Sequence, residues 1–76
     1  MYATTWCGDC RMAKRVLDEE GAPYTWVDID HEPDAARRVL ELNGGMRSVP
    51  TIVFEDGRVL VEPSRNVLRD ALALPA

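Results

Sequence analysis

Apolar residues recur along the chain at two different periods, and the switches between them predict a sequence of strands and helices. Met1 to Thr5 is short and rich in residues that suit a strand. From Cys7 to Glu20 the spacing turns helical. Met12, Ala13, Val16 and Leu17 fall on one face, while Lys14, Arg15, Asp18 and Glu19 fall on the other. Gly21 ends that helix, as glycine commonly does just past a last turn. Tyr24 to Ile29 is aromatic and β-branched without a breaker, and reads as a second strand. Pro33 opens a second helix, with Ala36, Val39 and Leu40 as its buried stripe and Asn43-Gly44-Gly45 as its stop. Thr51 to Phe54 and Val59 to Val61 are two short apolar runs, and Asp56-Gly57 between them signals a hairpin. Pro63 opens a last helix with Val67, Leu68, Ala71 and Leu72 facing inward.

The order β-α-β-α-β-β-α constrains the topology. A strand, helix, strand start implies a parallel pair with a right-handed crossover, and the closing hairpin adds two antiparallel strands. The fold class is therefore α/β, a four-stranded mixed sheet with helices on both faces. Residues 1–76 are expected to form a single domain, with no repeat, low-complexity tract or linker. At this length folding hides only about 60–65% of the extended chain's surface, so stability should be modest. Cys7 and Cys10 are a poor remedy, because a disulfide between them closes a very short loop and constrains little of the unfolded chain. The pair is better suited to chemistry than to scaffold.

Hydrophobic residues make up 46% of the chain and charged residues 29%, which suits a globular domain rather than a disordered one. The formal charge of −4, without a basic block, argues against nucleic acid and against an anionic membrane as partners. No apolar run approaches the ~20 residues of a bilayer span, and no basic stretch followed by an apolar core stands at the N-terminus. The expectation is a cytoplasmic monomer. In a reducing cytoplasm a C-x-x-C pair is catalytic or metal-binding. A closed zinc site wants four ligands, and the chain offers two cysteines and one histidine, so no resident metal is expected short of a site bridging two chains. His31, among acids beside the second helix, receives no role.

Trp6-Cys7-Gly8-Asp9-Cys10 falls where the first strand gives way to the first helix. A thiol there meets orphan backbone N–H groups and the positive end of the helix dipole. Both favour thiolate, and cysteines so placed ionise well below the free value of about 8.5. Cys7 is thus the expected attacking nucleophile. Cys10, one turn further in, should donate its S–H to that thiolate and then resolve the mixed disulfide. Gly8 removes bulk beside the nucleophile, and Trp6 is expected to shield and pack the site. Asp9 has two compatible readings. It stabilises the first turn by about 0.3–1 kcal/mol, and its carboxylate competes with the Cys7 thiolate for the same positive potential. Ser48-Val49-Pro50 precedes the third strand, where a residue without an N–H is tolerated at the first position.

With these residues the chain resembles the glutaredoxin branch of the thioredoxin-fold family. The match rests on Thr5-Trp6-Cys7-Gly8-Asp9-Cys10, Asn43-Gly44-Gly45, Ser48-Val49-Pro50-Thr51 and the Asp56-Gly57 hairpin. Tyr2, Thr4-Thr5 and the pair Pro63-Ser64 resemble the short mycoredoxin-type members. The resemblance implies a cis Pro50 that sets the Val49 backbone beside Cys7 for strand-like pairing with a substrate. It also implies a groove in which Arg47 and Ser48 flank the substrate, Arg47 meets its carboxylate and Ser64 presents polar groups at a helix start; otherwise Arg47 is a solvated loop arginine. Glutathione-using members carry a lysine where this chain has Thr4, a tyrosine where it has Asp9, and Gly-Cys-Asp where it has Glu62-Pro63-Ser64. The implied activity is thiol-disulfide exchange on protein disulfides or mixed disulfides, with no bound cofactor and with glutathione, mycothiol or bacillithiol as co-substrate. Two alternatives are an electron donor recharged by a thioredoxin-reductase-type flavoenzyme and a redox-sensing or metal-carrying module without turnover.

Overall fold

The elements follow one another in the expected order, and β1, β2 and β3 are shorter than their apolar runs. A computed structural model describes residues 1–73, so the last three residues of the expected 1–76 domain lie outside the described residues. The elements are β1 (Tyr2–Ala3), α1 (Gly8–Glu19), β2 (Val27–Asp28), α2 (Pro33–Leu42), β3 (Thr51–Val53), β4 (Val59–Val61) and α3 (Arg65–Ala73). The sheet runs β2-β1-β3-β4, with β1 parallel to β2 and the two later pairs antiparallel. β2 is cut back because its ladder with β1 begins only at Tyr2 opposite Val27, so residues 24–26 precede it. Among the described residues no helix is long and apolar enough to cross a membrane.

Period-two alternation assigns the faces. Ala3 and Ile52 join Cys10, Ala13, Val16 and Leu17 of α1 and Leu68 of α3 in one buried cluster. Thr51, next to Ile52, turns the other way and receives a hydrogen bond from Asn43 Nδ2, just past α2, at 3.0 Å. Val39 is the buried residue of α2. Leu40 and Val67 depart from expectation, at 38% and 49% exposed. Each stands one residue, about 100° of helix, from the position that is buried, Val39 and Leu68 respectively. The buried stripes of these short helices are simply narrower than the runs of apolar residues.

The helix ends explain the boundaries. At the end of α1 the Gly21 N–H bonds Asp18 O at 3.2 Å and the Ala22 N–H bonds Leu17 O at 2.9 Å, the paired bonds of a Schellman motif. Gly21 takes φ +66° there, with open space where a Cβ would project. Gly21→Ala should therefore meet no clash and still cost about 1 kcal/mol in backbone strain. An unchanged urea midpoint would refute this. At α3 the proline does not open the helix. Pro63 is buried ahead of it, and Ser64 caps it, accepting the Val67 N–H on Oγ at 3.2 Å. A hydroxyl can satisfy an orphan N–H of the first turn, so the helix begins after Ser64.

Candidate active site

Cys7 is the N-cap of α1, with extended backbone at φ −86° and ψ 120°. A cap residue aims its side chain back at the first turn, and here the Cys10 N–H reaches Cys7 Sγ at 3.2 Å. That donor is one of the orphan amides of the helix start, and its bond strengthens when the sulfur carries charge. Cys7 is half-buried while Cys10 is fully buried, and both are free thiols. Burial chiefly, and then hydrogen bonding to the Cys7 sulfur, pushes the Cys10 thiol up to about 12. The two cysteines thus differ in exposure, one half-buried and one fully buried.

The second wall comes from the loop before β3. The Val49–Pro50 peptide is cis, as the resemblance implies, and Pro50 is buried. Cys7 Sγ approaches Val49 O at 3.8 Å across 42 residues of sequence. The Ser48 carbonyl accepts the Thr51 hydroxyl at 2.7 Å, which fixes this loop to the start of β3. Glu62, just past β4, donates its N–H to Pro50 O at 2.9 Å. Glu62 holds φ +48°, a left-handed backbone that glycine adopts more freely, at the position where the glutathione-using pattern has its glycine. Ser64 Oγ is committed to capping α3, so its contribution is to the helix start. Gly8 leaves nothing within 4 Å of a would-be Cβ, so the approach beside Cys7 is open. Asp9 is exposed in the first turn of α1.

Asp30 is the residue that the sequence did not single out. Trp6 Nε1 donates to Asp30 Oδ2 at 2.8 Å, and the Arg47 guanidinium bonds the other oxygen, Oδ1. Arg47 first and Trp6 second hold the Asp30 carboxyl below the usual carboxylate range. Trp6 is accordingly 64% exposed and hydrogen-bonded, rather than packed over the site as expected. Arg47 is neither free for a substrate nor merely solvated, since Asp30 engages it. The contacts span 24 and 17 residues, so no local spacing could have announced them. Among the described residues no three His, Cys, Asp or Glu side chains gather as a metal site.

With this geometry in hand, the family model for glutaredoxin matches residues 1–60. A Mycobacterium tuberculosis protein that carries a glutaredoxin name is 42% identical over 72 residues, covering 95% of this chain and 86% of its own length. Mycoredoxin 1 of Corynebacterium glutamicum is 38% identical over 63 residues, 83% of this chain and 77% of its own length. The glutaredoxin-like protein NrdH of Lactococcus lactis is 30% identical over 56 residues, 74% and 75% of the respective lengths.

Proposed function

The chain belongs to the glutaredoxin family and is a thiol-disulfide oxidoreductase, and we propose that Cys7 is its nucleophile and that a low-molecular-weight thiol completes its turnover. The observation that carries this is the asymmetry of the pair. Cys7 Sγ sits at the helix start with an amide donor at 3.2 Å and open space alongside, while Cys10 is buried. The Cys7 thiolate attacks one sulfur of a disulfide, the substrate S–S bond breaks as the Cys7–S–S bond forms, and the departing thiolate takes a proton from water. A second thiolate then attacks the mixed disulfide and returns Cys7 as thiolate.

Cys10 is the slower resolving group. Burial, and its hydrogen bond to the Cys7 sulfur, push its thiol up to about 12, so it rests protonated at neutral pH. Burial, the larger cause of that shift, persists once Cys7 is in a mixed disulfide. A small thiol from solution therefore resolves faster. Glutathione, mycothiol and bacillithiol are the candidates, and the substitutions at Thr4, Asp9 and Glu62-Pro63-Ser64 weaken the case for glutathione's usual contacts. Such a cycle fits a reducing compartment, the cytoplasm, with disulfide-containing proteins as substrates.

Mixing Cys10→Ser protein with a glutathionylated peptide and digesting without reductant should yield the small thiol on the Cys7 peptide by mass spectrometry. Recovery of unmodified Cys7, with no peptide released from glutathione, mycothiol or bacillithiol mixed disulfides alike, would sink the proposal. Asp9 adds a graded effect. Its carboxylate shares the first turn with the Cys7 sulfur, so Asp9→Asn should speed iodoacetamide alkylation of Cys7 about 2- to 5-fold at neutral pH. Equal rates would remove Asp9 from the control of this thiol.

A further inference from the structure

We infer that Asp30 is a specificity-determining residue, an internal carboxylate that occupies the Arg47–Trp6 clamp and turns the site away from carboxylate-bearing thiols toward uncharged ones. This rests on the Cys7 proposal above and deepens it by naming the class of co-substrate. Three observations carry it. The clamp stands at the site itself, because Trp6 immediately precedes Cys7 and Arg47 lies two residues before Val49, whose carbonyl approaches Cys7 Sγ. Both oxygens of Asp30 are engaged, one by each clamp residue, so an incoming carboxylate finds the guanidinium already neutralised. Asp9, exposed in the first turn of α1, adds a second negative charge beside the same sulfur.

The physical consequence follows from mass action and charge. To reach Arg47 an anionic thiol must displace Asp30 and leave that carboxylate beside its own, whereas a thiol with hydroxyl or amide groups loses nothing by leaving the pair intact. The arginine is used here to tie the loop carrying Asp30 to the loop that carries Val49. The clamp acts on both halves of the cycle. In the first, Cys7 thiolate and a peptide–S–S–R disulfide give Cys7–S–S–R and the peptide thiolate. In the second, RS⁻ attacks Cys7–S–S–R to give R–S–S–R and free Cys7 thiolate. On this inference the R group passes beside the clamp in each.

Glutathione and its diethyl ester differ at the two carboxyl groups, where the ester removes both charges and adds an ethyl group to each, and the salt dependence and Asp30→Asn identify the part due to charge. Each would be used as the thiol R in reducing its own mixed disulfide with one peptide, and each kcat/KM would be divided by the uncatalysed rate with the same thiol. The wild type is expected to favour the ester by about 5- to 20-fold, a preference that shrinks as salt screens the exposed charges. Asp30→Asn should raise the glutathione value about 5- to 10-fold through KM while moving the ester less than about twofold, and adding Arg47→Gln should cancel that gain. An unchanged ratio in Asp30→Asn, or both thiols falling together, would overturn the inference and leave Asp30 a structural tie only. Either of those results leaves the Cys7 proposal standing if turnover still requires Cys7. Absence of wild-type turnover with both thiols would overturn the inference, and absence with mycothiol and bacillithiol as well would overturn the Cys7 proposal with it.

Discussion

Cys7→Ser is expected to abolish mixed-disulfide turnover, by about 10³-fold or more, while Cys10→Ser retains most of it. Serine at position 7 keeps the N-cap geometry, because its oxygen can accept the Cys10 N–H in place of Sγ. What it removes is the polarizable thiolate, and a hydroxyl at neutral pH is a far weaker nucleophile. Loss of rate without loss of folding would thus locate the chemistry on one atom. Cys10→Ser tests the other half. The Cys10 side chain is buried and its thiol is pushed up, so the proposed cycle uses it as the slower of the two resolving groups. The amide that supports Cys7 belongs to the backbone of residue 10 and survives the substitution. Steady-state reduction of a peptide mixed disulfide, run with glutathione, mycothiol and bacillithiol in parallel, measures both variants. Collapse of the Cys10→Ser rate to the Cys7→Ser level would mean that the internal thiol is obligatory. Activity only when a thioredoxin-reductase system is supplied would instead make the chain an electron donor recharged by a flavoenzyme.

Leu68→Ala should remove much of the stability of the domain. Leu68 is fully buried where α3 meets α1, in the same cluster as Ala13, Val16 and Leu17. Deleting a buried leucine to alanine costs about 2–5 kcal/mol, and small surrounding residues such as Ala13 leave little that could fill the gap. A domain of 76 residues has a total of about 4–11 kcal/mol at the usual per-residue value. The variant is therefore expected to melt about 10–25 °C lower by circular dichroism. Val67→Ala is the internal comparison. Its side chain is 49% exposed on the same helix, so its midpoint should move by only a few degrees. Equal losses from the two substitutions would show that α3 is not held by the Leu68 contact.

The order of elements was legible because each is announced over a few residues. Helical spacing in α1, the glycine that closes its Schellman motif, and Asp56-Gly57 between β3 and β4 are all short-range signals. The same locality made Cys7 identifiable, since a thiol just ahead of an amphipathic stretch must cap it. Where two local signals competed, the sequence alone could not rank them. Pro63 and Ser64 both mark a helix start, and the capping hydroxyl decided the boundary.

What the tertiary structure decided is of another range. Leu40 and Val67 lie outside because the width of each buried stripe depends on what packs against the helix, not on the helix's own composition. The burial that keeps the proton on Cys10 comes from β1, β3 and α3 closing over it together. The approach of Val49 O to Cys7 spans 42 residues, and the Asp30 clamp joins three separate loops. Local chemistry thus determined which atom is proposed to react, because the helix start that supports Cys7 is built from its immediate neighbours. Only folding could set the surroundings of that atom, because they are made of groups brought together by the sheet.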